Sequence, residues 1–138
     1  MVQRVMEGKG RPMATNARAM IEAADAVVPR ITPNELREIQ QREPVTIVDV
    51  REDDEVRETG KIPGAIPIPR GLLEFRADPQ MPSHDARLNP DAPVVLYCGG
   101  GSRAALAGKA LFDLGYSHVY NLGGFRDWLA AGGDVERD

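Results

Sequence analysis

Six consecutive residues, Cys98-Gly99-Gly100-Gly101-Ser102-Arg103, hold a thiol, three glycines, a hydroxyl and a guanidinium. A thiol attacks as its thiolate, which near neutral pH calls for lowering a pKa of about 8.5 into the range of roughly 3.5 to 7.5. Each unit is worth about 1.4 kcal/mol. A helix N-terminus supplies about 0.3 to 1 kcal/mol, up to ~2 when partly buried, so further donors are needed. Three glycines can adopt the angles that turn successive backbone N–H groups inward as an anion-holding nest. Ser102 adds a hydroxyl and Arg103 a permanent charge. The chemistry this permits is covalent catalysis, with Cys98 as nucleophile and Gly99, Gly100, Gly101, Ser102 and Arg103 as the substrate-binding cradle. A free cysteine is more often an inert, buried small hydrophobe. Three glycines between a cysteine and a Ser-Arg helix start are hard to explain as a plain connection, and they argue for reactivity here.

Such a loop needs a strand before it and a helix after it. Val94 to Tyr97 is a continuous apolar run suited to a strand buried on both faces, and Ala104 to Leu114 is helical in pattern and closed by Gly115. Val45 to Val48 is a second buried strand that Asp49 ends, and His118 to Leu122 a third, followed by Gly123-Gly124 as a tight turn and a helix from Phe125 to Ala131. Thr32-Pro33-Asn34-Glu35 reads as a capping box opening a helix to about Arg42. Glu52 to Glu58 is a short solvated helix, and Ala65 to Ile68 a strand that its prolines confine to an edge. Seven of the eleven prolines fall between Pro63 and Pro93, so that stretch is mostly ordered loop with short helical turns near Leu72 to Phe75.

Strands alternating with helices predict an α/β fold with a central, mainly parallel sheet and helices on both faces. Right-handed crossovers bring all strand C-termini to one edge, where ligands bind. Asp49-Val50-Arg51, the Cys98 loop and Gly123-Gly124 should therefore converge. Asp49 and Arg51 are candidate substrate contacts there, weighed against the commoner case in which they pair with each other. Arg70 is a further candidate for drawing an anionic donor to the mouth, against the usual reading of a loop arginine as merely solvated. Phe125 and Trp128 read as core.

The 138 residues, 42% hydrophobic, suit one core domain, here 30–138, preceded by an N-terminal extension, 1–29, that carries one amphipathic helix. Residues 1–16 read as a flexible lead. Ala17, Met20, Ile21, Ala24 and Val28 recur at helical spacing, and their apolar face requires either this domain or a second copy in a homodimer. With 17 basic and 21 acidic residues, a net charge of −4 and no basic stripe, no nucleic-acid partner is expected. No apolar run is long enough to span a membrane, and the first residues lack a secretory apolar core, which points to the cytoplasm. One cysteine excludes an internal disulfide and a cysteine-rich zinc site; His84 and His118 have no ligand-like spacing, so no metal is expected.

The loop resembles that of the rhodanese superfamily of sulfurtransferases, whose catalytic cysteine opens a six-residue loop ending in arginine. Family-like signatures accompany it in order: Asp49-Val50-Arg51-Glu52, Gly60-Lys61-Ile62-Pro63-Gly64-Ala65, and Asn121-Leu122-Gly123-Gly124-Phe125 with Trp128. The resemblance spans about Arg30 to Gly133, and Lys61 departs from it where histidine is common. It implies that Cys98 takes the outer sulfur of a donor such as thiosulfate as a persulfide and passes it to cyanide, an external thiol or a protein acceptor, with no cofactor. Tyrosine phosphatases place one more residue between cysteine and arginine than the four found here, which makes phosphatase or arsenate reductase activity the weaker choice. Rhodanese-like domains also serve as non-catalytic binding or regulatory modules, usually after losing the cysteine. The persulfide would have no internal thiol to resolve it.

Overall fold

Strand β1, Thr46–Asp49, alternates its side chains between two buried faces, and β3, Val94–Cys98, repeats the pattern one rung away. The computed structural model describes residues 14–137, so the part of the flexible-lead expectation that falls on residues 1–13 lies outside the described residues. In it, β1 and β3 form the centre of a four-stranded sheet of order β2-β1-β3-β4, with every pairing parallel. Strand β2 is only Ile66–Pro67 and occupies an edge, as its proline requires. Strand β4, Val119–Gly124, is the opposite edge.

Among the described residues six α-helices cover the sheet: α1 Ala17–Val27, α2 Pro33–Arg42, α3 Asp53–Thr59, α4 Leu73–Ala77, α5 Ser102–Asp113 and α6 Phe125–Ala130. A 3₁₀ turn, Arg70–Leu72, leads into α4. On one face Val48, Val94, Leu96 and Cys98 pack with Val28, Leu73, Ala104, Ala107 and Leu111; on the other Ile47, Val95 and Tyr97 pack with Leu36, Ile39, Phe125 and Trp128. The nucleophile candidate thus belongs to the α5 face. No helix among the described residues is long and apolar enough to cross a membrane.

The capping box is present: the Glu35 amide donates to Thr32 Oγ1 at 3.1 Å, and the Thr32 amide donates to Glu35 Oε1 at 2.8 Å. Helix α1, capped by Asn16, puts the C-terminal part of its apolar face on its own chain. Ala24 and Val28 are buried, and Val28 sits against Gly108 of α5 so closely that a Cβ there would lie 2.8 Å from its Cγ1. That contact explains a glycine inside a helix. For Ala24 and Val28 the covering surface is the domain itself, while Met20 on the same helix is half exposed.

The segment after α1 is tied to β4. The Asn121 amide donates to the Pro29 carbonyl at 2.9 Å, and the Ile31 amide donates to the Asn121 carbonyl at 3.0 Å.

Gly123-Gly124 is not a tight turn. The register slips by one residue between Leu96 and Tyr97, so Gly123 pairs with Tyr97 and Gly124 with Cys98, and β4 runs directly into α6. Gly123 takes φ of 97°, the left-handed region, which lets the strand absorb the extra residue.

Lys61, the departure from the family pattern, holds local structure. Its ammonium donates to the Ala65 carbonyl at 2.7 Å and pairs with Glu136 at 3.1 Å. His84 and His118 hydrogen-bond to the Leu88 carbonyl and the Ser117 hydroxyl.

Candidate active site

The three post-strand segments converge at the C-terminal edge of the sheet. Cys98 ends β3 with about 1% of its surface exposed, and α5 begins four residues later. The Gly101 N–H donates to Cys98 Sγ at 2.9 Å. Gly101 has φ of 109°, the conformation that turns its amide back over the loop and that favours glycine. Its peptide is fixed from the far side, because its carbonyl accepts from Asn121 Nδ2 at 3.2 Å and from the Ala105 amide at 2.9 Å. Ser102, Arg103 and Ala104 occupy the first turn of α5, whose N–H groups have no helical carbonyl to donate to.

Strand β4 closes against the loop. An alanine methyl at Gly124 would run into the Gly99 carbonyl, so the approach of the two backbones requires glycine. Asn121 is fully buried and braces both sides, accepting from the Gly123 amide at 2.8 Å while donating to Gly101. Sequence reasoning placed Asn121 in a motif without a role. A buried amide flanked by glycines was the available signal.

Arg103 does not stand free in the loop. Its Nη1 and Nη2 meet Glu55 of α3 at 2.7 and 3.1 Å. The hydrogen bond from Arg103 holds the Glu55 carboxyl down at about 2, and the same bond raises Arg103, with the charges of Glu55 and Cys98 adding to it. Glu55 escaped sequence reasoning because it looked like one more acid on a solvated helix. Since its pKa in the fold is depressed, its stabilising pairing is complete above a carboxylate's usual 4.5 and is lost as pH falls toward 2. We therefore expect urea unfolding to show Glu55→Gln less stable than wild type by a constant margin from pH 5 to 8, with the gap closing below that window. A margin that persists unchanged at pH 2.5 would contradict the ion pair.

Asp49 and Arg51 meet at the end of β1, 0% and 3% exposed, with Arg51 Nη2 and Asp49 Oδ2 2.7 Å apart. Arg51 also donates to Thr59 Oγ1 and the Gly60 carbonyl, both at 2.9 Å, and lies 4.5 Å from the centre of the Phe125 ring. Burial alone would push the Arg51 guanidinium down; hydrogen bonding and attraction to Asp49 outweigh it and hold it raised. Burial, then the Asp49 charge, pushes the neighbouring Tyr97 hydroxyl up, and that hydroxyl accepts from the Ile62 amide at 3.0 Å. The hydrogen bonds of Asp49 and Arg51 are thus committed to each other and to the end of α3.

Arg70 is placed away from the loop. It pairs with Glu74 at 2.8 Å and lines a groove of about 500 Å³ with Met20, Leu106 and Lys109, a groove that none of the residues Cys98 to Arg103 lines.

The model of the rhodanese-like domain matches residues 32–131, most of the chain. The chain belongs to the rhodanese-like family. It is 32% identical over 93 residues to the putative sulfur carrier protein YrkF of Bacillus subtilis, covering 67% of this chain and 45% of that one. It is 30% identical over 104 residues to the tRNA uridine(34) hydroxylase of Acinetobacter baylyi, covering 75% of this chain and 32% of that one. This rhodanese-like chain thus spans less than half the length of either relative. Among solved structures, the polysulfide-sulfur transferase homodimer of Wolinella succinogenes superimposes with a TM-score of 0.69 at 33% identity, covering 88% of this chain and 87% of that one. A Rhodopseudomonas palustris protein of unknown function, described as a possible tyrosine phosphatase, gives 0.82 at 35% identity, covering 91% and 98%.

Proposed function

We propose that this rhodanese-like protein is a sulfurtransferase that carries sulfane sulfur as a persulfide on Cys98, with thiosulfate as a donor and cyanide or an external thiol as acceptor. The observation that supports it best is the compact loop, four residues between Cys98 and Arg103, with a backbone N–H seated on Sγ. In the first step the Cys98 thiolate attacks the outer sulfur of thiosulfate. A Cys98–sulfur bond forms, the donor's S–S bond breaks, and sulfite leaves with the electron pair. In the second step cyanide takes the outer sulfur as thiocyanate and the thiolate is restored. Loop amides and the first turn of α5 stabilise the anionic sulfur, and Arg103, fixed by Glu55, holds the loop's shape and adds positive potential. Asn121 and Gly124 act on the loop and not on the substrate. Because no second cysteine exists, the sulfur leaves only to an outside acceptor.

The test is direct. Purified protein incubated with thiosulfate or another sulfane donor gains the mass of one sulfur on Cys98, and cyanide then releases thiocyanate. Neither adduct nor thiocyanate with any sulfane donor would remove the enzyme reading and leave a binding module. The structural likeness to a protein described as a possible tyrosine phosphatase makes aryl phosphate hydrolysis a necessary control. The short loop leaves less room for a tetrahedral phosphate, and no turnover of it is expected.

A further inference from the structure

The loop that carries Cys98 has almost no side chains with which to choose a substrate. Residues 99 to 101 are glycine, and Arg103 has both terminal nitrogens engaged by Glu55. Two other guanidinium groups lie on the loop from outside it. A Cβ on Gly100 would be 3.3 Å from Nη2 of Arg126; one on Gly101 would be 3.6 Å from Nη1 of Arg30; and one on Gly123 would be 2.5 Å from Nη2 of Arg30. Arg126 comes from the first turn of α6 and Arg30 from the segment that joins α1 to α2, so two elements deliver like charges to one mouth.

Like charges brought to one place repel unless an anion lies between them. Arg51, Arg70, Arg87 and Arg103 each have a carboxylate within 4.0 Å; Arg30 and Arg126, like several arginines remote from the loop, have none among the described residues, and what sets these two apart is that both lie against the loop. The Asp127 carboxylate, also near Gly123, accepts the Gly124 amide hydrogen at 3.1 Å. A protein of net charge −4 thus sets two guanidinium groups against the loop that carries its one thiol, with the Asp127 carboxylate committed to the Gly124 amide beside them.

We infer that Arg30 and Arg126 are the specificity-determining residues of this site, selecting a small sulfur donor whose leaving group is an oxyanion, such as sulfite or a sulfinate. The inference rests on the sulfurtransferase reading for its reaction and names the donor class for it. Both guanidinium groups are within van der Waals reach of the loop glycines rather than spread over a flat face, which matches a small anion better than the surface of an acidic protein. When the donor's S–S bond breaks, the electron pair moves onto the leaving oxyanion, where these two groups stand.

Alkylation separates this inference from the reaction it rests on. Iodoacetate and iodoacetamide differ in charge and little else, and the ratio of their rates at Cys98 cancels the thiolate fraction. Wild type is expected to favour the anion more than Arg30→Gln or Arg126→Gln does, by about three- to fivefold for each. The same variants are expected to raise KM for thiosulfate about tenfold with kcat nearly unchanged. Both side chains are exposed, and unchanged melting temperatures check the fold. An unchanged alkylation ratio overturns the inference. So does an unchanged KM for thiosulfate, including the case in which only discharge of the persulfide to an acidic thiol-bearing protein slows, which assigns the rim to the acceptor. A lowered ratio in a protein that forms no persulfide keeps the anion recognition and removes the sulfurtransferase reading instead.

Discussion

Cys98→Ser is expected to form no thiocyanate above background, a loss of at least about 10³ in kcat/KM, while remaining folded. The serine oxygen can still accept the Gly101 N–H, so the loop keeps the hydrogen bond that shapes it. What it lacks is a thiol nucleophile and a sulfur able to hold a second one. Cys98 packs in the α5-side core, and exchanging it for a hydroxyl with one partner costs about 1 kcal/mol, small enough for thermal unfolding to show an intact domain. Cyanolysis of the two proteins side by side decides the matter. A serine variant that kept several per cent of activity would place the sulfur somewhere other than the chain's one thiol.

The largest effect on stability is expected at Asp49. Asp49→Ala leaves the Arg51 guanidinium buried without its counter-ion, a change worth about 3 to 5 kcal/mol. That is a large share of the roughly 5 to 15 kcal/mol that holds a domain together. Arg51 keeps its bonds to Thr59 and Gly60, but these are neutral acceptors. Replacing both partners, Asp49→Leu with Arg51→Met, removes the two charges together and is expected to cost much less than the single change. Urea unfolding of both variants checks the contrast; a single variant within 1 kcal/mol of wild type would mean that water reaches Arg51.

The sheet and the Cys98 loop were legible in the sequence because local signals agreed: β-branched runs, a capping box at Thr32, and glycines beside a thiol. The register slip at Leu96 and Tyr97 was not, because it arises from how β3 and β4 align and has no local signature. The partners of the site were hidden for a related reason. Glu55 lies 48 positions from Arg103, Asn121 lies 20 from Gly101, and only the crossovers bring them together. Arg30 and Arg126 carried even less signal, since a lone arginine in a sequence looks the same whether it faces open water or lies against a glycine loop. Asp49 and Arg51, two residues apart, showed their proximity plainly. Their burial, which decides that they hold each other, depended on Tyr97 and Phe125 from distant segments.

The short tie between Pro29, Ile31 and Asn121 bears on where this domain can be cut. Strand β4 is an edge six residues long, and an edge of that length offers unpaired backbone groups to any passing strand. The segment ahead of residue 32 occupies part of that edge, acting as a built-in guard against strand-to-strand self-association. A fragment trimmed to residues 32–131 keeps the Cys98 loop but bares β4 and discards Arg30. A version of the site that keeps this part of β4 covered and retains Arg30 therefore includes residues 29–31 as well as the matched stretch 32–131.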